Sequence, residues 1–261
     1  MDLALKHLAL IPDGNRRWGR ARGIKMSVDF YVQSGLLGLD LARRVFDRGI
    51  DKLTIWIGSL ANLTKRSALE IKALNKAYQK FFTDPDNLKF AHQRKIKIDC
   101  FGRWHELLTP KTVQAIDKTV TETAKYTDSG KRLTVLIAYD GADERGAALK
   151  KILAKIQEVY AAGGQRADDF FHNELPDLIN DDSLKLNQTL RQFSWTGHLP
   201  DVDLIVRTGS QSDPHNSAGF LSMLADNAQL AFTDTLWPDF STGELDQILD
   251  NYSHKERRLG K

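Results

Sequence analysis

Residues 7–18 decide the fold, and they read His7-Leu8-Ala9-Leu10-Ile11-Pro12-Asp13-Gly14-Asn15-Arg16-Arg17-Trp18. The first five are apolar or β-prone and predict a strand, and the polar residues after them predict a turn. Glycine lets a turn aim amide N–H groups at an anion, a carboxylate beside it can hold Mg²⁺, and paired arginines donate charge-assisted hydrogen bonds to phosphate. An ordinary turn with solvated arginines is the plain alternative, but the position directly after a strand favours a diphosphate site.

Short runs rich in β-branched and apolar residues recur along the chain and predict strands. They are Leu5–Ile11, Lys52–Ile57, Lys95–Phe101, Leu133–Tyr139, Val202–Val206 and Gln229–Phe232. Longer segments with helical spacing separate them. The pattern predicts a single α/β domain over residues 1–261, with a central, mostly parallel sheet of about six strands surrounded by helices. Glycines and scattered carboxylates predict a loop excursion over residues 162–182.

Composition excludes several classes of protein. With 41% hydrophobic and 27% charged residues, the 261-residue chain is typical of a globular protein and not of a disordered one. A net charge of +3 is too small for a nucleic-acid-binding face, so no nucleic-acid partner is expected. The single cysteine cannot form an internal disulfide, and we find neither a membrane-spanning run nor a signal peptide. We therefore expect a cytoplasmic protein, with peripheral membrane contact left open.

Two further polar clusters follow predicted strands. The cluster after the second strand contains Ser59, Asn62, Lys65 and Arg66. By itself it is more typical of a helix cap with exposed basic residues. The other cluster begins with Arg207, where the fifth strand gives way to a turn at Gly209. Because the carboxyl ends of parallel strands share one edge of a sheet, the three clusters together predict one anion site.

Three ordered stretches resemble the cis-prenyltransferases, the family that includes undecaprenyl diphosphate synthase. They are residues 7–18, 199–209 and 231–240, and residues 256–260 resemble the family's ending. The resemblance spans nearly the whole chain. It implies the cis-prenyltransferase fold, an apolar tunnel for the prenyl chain, and a homodimer whose C-terminal residues lie close to the partner's active site. It also implies chemistry in which an allylic diphosphate loses diphosphate and the resulting carbocation is attacked by a nucleophile before proton loss.

The resemblance assigns roles to individual residues. It makes Asp13 the catalytic ligand of Mg²⁺, and it places Ser59 and Asn62 near the reacting centre. The residues that it implies in substrate binding are Gly14, Asn15, Arg16, Arg17, Trp18, Arg66 and Arg207. Of these, Arg207 matches the first arginine of the motif that holds the acceptor diphosphate.

The sequence departs from the family pattern mainly in its acceptor half. Asn216 stands in the place of that motif's second arginine, and Gln229 stands in the place of a metal-binding glutamate. Ala218 replaces a serine, while Met26 and Phe30 replace an arginine and a histidine. A hydrogen bond to a charged group is worth roughly 1.5 to 3 kcal/mol, so an ordinary site for isopentenyl diphosphate looks damaged.

The sequence therefore predicts a prenyltransferase that ionises a short allylic diphosphate with Mg²⁺. Its second substrate would be a non-standard small-molecule acceptor, either an aromatic molecule or an isoprenoid unit that is joined irregularly, and the missing Arg and Glu suit an acceptor without a diphosphate. One alternative keeps isopentenyl diphosphate as acceptor, held by Arg207 with help from Lys65, Arg66 or His215. Another is a non-catalytic partner subunit, against which the retained Asp13 argues.

Overall fold

The computed structural model describes residues 5–176 and 183–254. Residues 256–260 and the last part of the predicted excursion, 177–182, lie outside the described residues. Backbone contacts group the chain into two compact units. The first comprises residues 1–139, 201–215 and 227–261, and the second comprises residues 140–200 and 216–226. The organisation as a single domain stays a prediction.

A six-stranded sheet lies at the centre of the first unit. Its strands are β1 (His7–Ile11), β2 (Lys52–Ser59), β3 (Lys97–Phe101), β4 (Arg132–Tyr139), β5 (Leu204–Arg207) and β6 (Gln229–Phe232). Their order is β3-β4-β2-β1-β5-β6, and every neighbouring pair is parallel. The predicted fold class and all six predicted strands are confirmed, with ends that shift by two residues at most.

The helices of the first unit are α1 (Asn15–Ala21), α2 (Val28–Asp47), α3 (Leu60–Thr64), α4 (Ala68–Thr83), α5 (Pro85–Arg94), α6 (Trp104–Leu107), α7 (Pro110–Thr123) and, near the end of the chain, α11 (Thr242–Ser253). The second unit contains α8 (Gly141–Ala162), α9 (Gly164–Asp169) and α10 (Ser183–Phe193). Within the described ranges, no helix is both long and apolar enough to cross a bilayer.

The loop predicted over residues 162–182 is wrong for its first part. Residues 164–169 form α9, and a π-helical turn continues over Phe170–Glu174. Ala167 and Phe170 are buried against Val159 of α8, which gives this segment a small apolar core of its own. Burial of that face stabilises the helix despite the glycines at its start.

The strand order gathers the predicted site residues at one edge of the sheet. β1 is central and wholly buried, with β2 on one side and β5 on the other. The connection after β1 leads to β2, the neighbour of β1 on one side, whereas the connection after β4 leads to β5, the neighbour of β1 on the other side. The boundary between β1 and β5 is therefore the topological switch point. Ligands of open parallel sheets bind there, outside the carboxyl ends of the strands.

Gly102, in the turn after β3, lies very close to the backbone of β4. Its φ is +118°, and a Cβ atom there would lie 2.1 Å from the carbonyl oxygen of Ile137. Gly130 also has a positive φ, +79°, but it faces open space. We expect Gly102→Ala to lower the free energy of unfolding by about 3 kcal/mol or more, against about 1 kcal/mol for Gly130→Ala, because only the first adds a backbone clash to strain. Urea unfolding measures both, and equal losses would contradict the expectation.

Candidate active site

The turn after β1 holds Asp13 by its main chain. Its N–H donates to the hydroxyl of Thr208 at 2.9 Å, and that hydroxyl donates to the Asp13 carbonyl at 2.7 Å. The backbone N–H of Trp237 donates to the same carbonyl at 2.9 Å. Three chain segments that are distant in sequence therefore fix the position from which the Asp13 side chain extends.

The carboxylate of Asp13 lies between two arginines. Its Oδ2 accepts a hydrogen bond from Nη2 of Arg207 at 2.9 Å, and its Oδ1 lies 3.6 Å from Nη2 of Arg17. Arg207 also donates to the carbonyl of His215, and its side chain is only 9% exposed. The Asp13 side chain, at 39% exposed, remains open to a ligand. The site thus combines an accessible carboxylate with two guanidinium groups.

Gly14 makes the turn between β1 and α1 sterically possible. Its φ is +104°, and a Cβ atom there would lie 2.7 Å from Cδ2 and 3.1 Å from Cα of Leu236. The turn also brings Arg17 to the carbonyl of Gly209, to which it donates a hydrogen bond. Arg16 is exposed.

An apolar cavity of about 950 Å³, partly open to solvent, begins beside this cluster. Its polar lining residues are Asn15, Tyr31, Ser34, Asn62 and Arg66. The rest of its lining comes mainly from α2, α4, β2 and β4 and includes Gly35, Gly38, Leu39, Ala42, Leu74, Ala77, Tyr78, Phe81, Leu133 and Val135.

Two close packing contacts shape this cavity. A Cβ atom at Gly35 would lie 3.2 Å from the ring of Phe81, so α2 and α4 approach closely at these two lining residues. Among the polar lining residues, the Ser34 hydroxyl donates to Oδ1 of Asn15 at 3.0 Å. That bond uses the side-chain oxygen of Asn15, whose amide nitrogen is a hydrogen-bond donor.

Arg66 belongs to a network that the sequence analysis missed. Its Nη1 donates to the hydroxyl of Tyr31 at 3.1 Å and lies 3.6 Å from Oε1 of Glu70, and the Tyr31 hydroxyl donates to that same oxygen at 3.0 Å. Burial raises the pKa of Tyr31, the charge of Arg66 opposes it and Glu70 supports it, and together they bring that pKa to about 12. The spacing of four residues between Arg66 and Glu70 was a usable signal. Nothing local could point to Tyr31, because its contact joins two helices.

We expect Tyr31→Phe to remove one tyrosine that ionises near pH 12. An unfolded tyrosine has a pKa of about 10, so folding raises the value, and the stability that Tyr31 contributes below pH 10 is lost between about pH 10 and 12. Ultraviolet titration of the phenols, with unfolding measured over the same pH range, checks this. The matched control is Tyr160→Phe, since Tyr160 is 74% exposed. Identical titration curves for the two variants would contradict the prediction.

Two predicted site residues make structural contacts. The Ser59 hydroxyl accepts a hydrogen bond from the N–H of Asn62 at 3.1 Å and caps α3. The Trp18 indole N–H donates to Asp239 at 2.7 Å, and Arg22 stacks over the ring while it pairs with the same carboxylate. These contacts brace α3 and α1. The catalytic role of Ser59 and the substrate-binding role of Trp18 stay predictions.

The two acceptor-half substitutions lie in different surroundings. Gln229 pairs with Leu204 at the amino end of β6, whereas Arg207 pairs with Phe232 at the carboxyl end. Asp13 lies at the carboxyl edge of the sheet, here called the Asp13 edge. Three residues at about 3.3 Å each place Gln229 roughly 10 Å along the sheet from that edge. Asn216 belongs to the second unit, where its side-chain amide donates to the carbonyl of Phe220 at 3.0 Å.

The donor set at the site suits Mg²⁺ bound together with a substrate. Among residues 5–176 and 183–254 there is no group of three or more His, Cys, Asp or Glu side chains that could bind a metal. Mg²⁺ commonly takes only one or two protein carboxylates and completes its shell with phosphate oxygens and water. The accessible carboxylate of Asp13, with room for a diphosphate beside two arginines, fits that requirement.

The family model described as "Putative undecaprenyl diphosphate synthase" matches residues 11–260. The chain belongs to the cis-prenyltransferase family. An isoprenyl transferase of Chlamydia abortus is 31% identical to this cis-prenyltransferase over 261 residues, covering 98% of the chain and 92% of the relative. An isoprenyl transferase of Treponema denticola is also 31% identical, and the match covers 100% and 99% of the two chains.

The fold of this cis-prenyltransferase also has a close match among solved structures. Lavandulyl diphosphate synthase from Lavandula x intermedia, in complex with dimethylallyl diphosphate, matches all of both chains with a TM-score of 0.81 at 23% identity. The predicted family, the predicted fold and the prediction of a prenyl-transferring enzyme are confirmed.

Proposed function

We propose that this enzyme binds an allylic diphosphate at the Asp13 edge and transfers its prenyl group to an acceptor that carries no diphosphate. The observation that carries the proposal is the continuity of a charged cluster with an apolar cavity. Asp13, Arg17 and Arg207 form the cluster, and the cavity beside it is lined by aliphatic and aromatic side chains. An allylic diphosphate has the same two parts, a charged head and an apolar chain.

The cluster supplies what the leaving group needs. In the proposed reaction the C1–O bond breaks, its electron pair leaves with the diphosphate, and an acceptor attacks the allylic cation before a proton is lost. Arg17 and Arg207 donate hydrogen bonds to oxygens on which negative charge accumulates. Mg²⁺ held by Asp13 and the diphosphate would neutralise further leaving-group charge. The apolar walls exclude water, which would otherwise capture the cation.

The altered acceptor half supports an acceptor without a diphosphate. At position 216 an arginine would offer a charged, bidentate partner to phosphate, whereas the amide of Asn216 donates to a backbone carbonyl. At position 229 there is an uncharged side chain at the amino end of its strand. Neither residue adds a charge that a second diphosphate could use.

One observation favours a second candidate, a cis-polyprenyl diphosphate synthase that uses isopentenyl diphosphate. Among the described side chains, Nε of Arg207 and the hydroxyl of Ser210 are buried without a hydrogen-bond partner. Leaving such groups unsatisfied costs about 1 to 3 kcal/mol each, and an anion bound at the end of β5 could satisfy both.

Product analysis separates the two candidates. Purified protein with Mg²⁺ is incubated with C5 to C15 allylic diphosphates and an aromatic acceptor such as a phenol, with and without isopentenyl diphosphate, and the products are identified by mass spectrometry. The proposal expects transfer to an acceptor other than isopentenyl diphosphate. A regular series of chain-extended products that forms only with isopentenyl diphosphate would establish the second candidate instead.

We expect a homodimer, as the family resemblance implies. Sedimentation velocity at micromolar concentrations should give twice the chain mass of 29.5 kDa. A fully active monomer across that range would contradict this prediction. The predicted approach of residues 257–260 to the partner's active site is part of the same expectation, and the cytoplasmic location stays a prediction.

A further inference from the structure

The amino edge of the sheet, opposite the Asp13 edge, carries a row of cations. The basic residues at the starts of β1–β4 are Lys6, Lys52, Lys95, Lys97, Lys131 and Arg132, here called the amino-edge patch. Lys52 and Lys97 are the register partners of Arg132 on its two sides. Backbone hydrogen bonds join Lys52 to Lys6 at 3.0 Å and Lys97 to Lys131 at 3.1 Å. The patch is therefore one continuous surface.

The amino-edge patch is only partly neutralised. Its strand starts contain two carboxylates, Asp51 and Asp99, which leaves a net charge of +4 from six cations. Asp99 is buried and pairs with Arg132 and Lys97. Burial lowers the pKa of Lys52, and the charge of Arg132 lowers it further against the opposing effect of Asp51.

The surroundings of the patch lower its net charge by one, to +3, through Asp203 beside Lys6. The carboxylate of Asp203, at the start of β5, accepts hydrogen bonds from the backbone N–H groups of Lys6 and His7. On the turn before β4, Lys125 and Asp128 have opposite charges, so that turn adds nothing to the balance. Like charges on adjacent strands are destabilising, and an anionic surface laid over them would relieve that repulsion.

Apolar space continues from the active site toward the same edge. A second cavity of about 420 Å³, partly open to solvent, extends to Ile96 and Ile98 at the start of β3. The residues that it shares with the first cavity are Leu39, Phe81, Leu133 and Val135. These four side chains line both the first cavity and the apolar space that reaches the start of β3.

We propose that the amino-edge patch docks the enzyme on a membrane whose surface carries anionic lipids. This rests on the proposed function, because only an enzyme that handles a prenyl chain benefits from apolar space between its active site and a bilayer. The exposed ammonium groups of Lys6 and Lys95 suit phosphate headgroups. A nucleic acid would match the charges but not the adjoining apolar cavity, whereas a lipid surface matches both.

Vesicle co-sedimentation of the full chain tests the docking surface. We expect the protein to bind vesicles of phosphatidylcholine with added phosphatidylglycerol, to bind pure phosphatidylcholine weakly, and to dissociate as salt is raised. Each basic residue near an anionic surface contributes roughly fivefold to binding, so the triple variant Lys6→Gln, Lys95→Gln, Lys131→Gln should bind roughly a hundredfold more weakly. The matched control replaces three exposed lysines elsewhere, Lys72, Lys76 and Lys111, with Gln and should bind like the unmodified protein.

Three results would overturn the docking surface: equal binding to both vesicle types, equal losses in the triple variant and its control, or binding of single-stranded RNA in preference to anionic vesicles.

Turnover of short, water-soluble allylic diphosphates without vesicles is measured in parallel. The triple variant should keep it, because the patch lies at the opposite edge from Asp13. Protein that binds anionic vesicles through the patch but transfers no prenyl group would contradict the proposed function and leave the docking surface standing.

Discussion

Asp13→Ala should reduce turnover at least a hundredfold and leave the fold intact. A metal ion at a leaving group stabilises the transition state by several kcal/mol, and each 1.4 kcal/mol corresponds to about tenfold in rate. The fold should survive because Thr208 and Trp237 hold Asp13 through main-chain atoms, which alanine retains. Arg207 also keeps its hydrogen bond to the carbonyl of His215.

Two further variants sharpen this test. Asp13→Asn keeps the side-chain shape but loses the charge, so we expect a loss close to that of alanine. Asp40→Ala removes an exposed carboxylate that pairs with Arg43 on α2, and it should leave turnover unchanged. Steady-state kinetics gives the rates and thermal unfolding reports the fold. An Asp13→Ala enzyme with near-normal activity would refute the assignment of this edge as the reacting centre.

Isopentenyl diphosphate should bind the unmodified enzyme weakly, while an allylic diphosphate binds in a Mg²⁺-dependent way. The charged contact that is lost at position 216, at roughly 1.5 to 3 kcal/mol, weakens binding by about 10 to 10². Isothermal titration calorimetry of both ligands, with Mg²⁺ and with a chelator, measures the difference. Tight binding of isopentenyl diphosphate would return the enzyme to the ordinary synthases.

Restoring the charges tests the same idea from the other side. Asn216→Arg should strengthen the binding of isopentenyl diphosphate, since it returns the missing cation to the motif that begins at Arg207. Gln229→Glu should change the charge without this gain, because the strand register places Gln229 roughly 10 Å along the sheet from the Asp13 edge. If Gln229→Glu alone strengthened binding and Asn216→Arg did not, the acceptor assignment would be wrong.

Local signals account for what could be predicted from the sequence. Each strand is a short apolar run bounded by polar residues, and the polar residues that follow β1, β2 and β5 meet because parallel strands share a carboxyl edge. Asp13, Arg17 and Arg207 therefore come together as predicted. Asn62 and Arg66 line the cavity that begins beside them.

What could not be predicted depends on tertiary contacts. The helical turns over residues 164–174 are stabilised by burial against Val159. Helix propensity, which depends on local sequence alone, does not include that burial. The hydrogen bond between Arg66 and Tyr31 joins the turn before α4 to α2 across 35 positions of sequence. The displacement of Gln229 from the site becomes visible only in the pairing register of β6 with β5.

The close approach of Gly35 and Phe81 makes these two positions interdependent in evolution. A side chain added at position 35 would lie 3.2 Å from the phenylalanine ring, so any larger residue there requires the ring to give way. A smaller residue at position 81 removes that conflict in advance. The effects of the two substitutions are therefore non-additive, as expected for residues in contact. Position 35 therefore becomes easier to enlarge once position 81 carries a smaller side chain, so the geometry favours one order of the two mutations over the other.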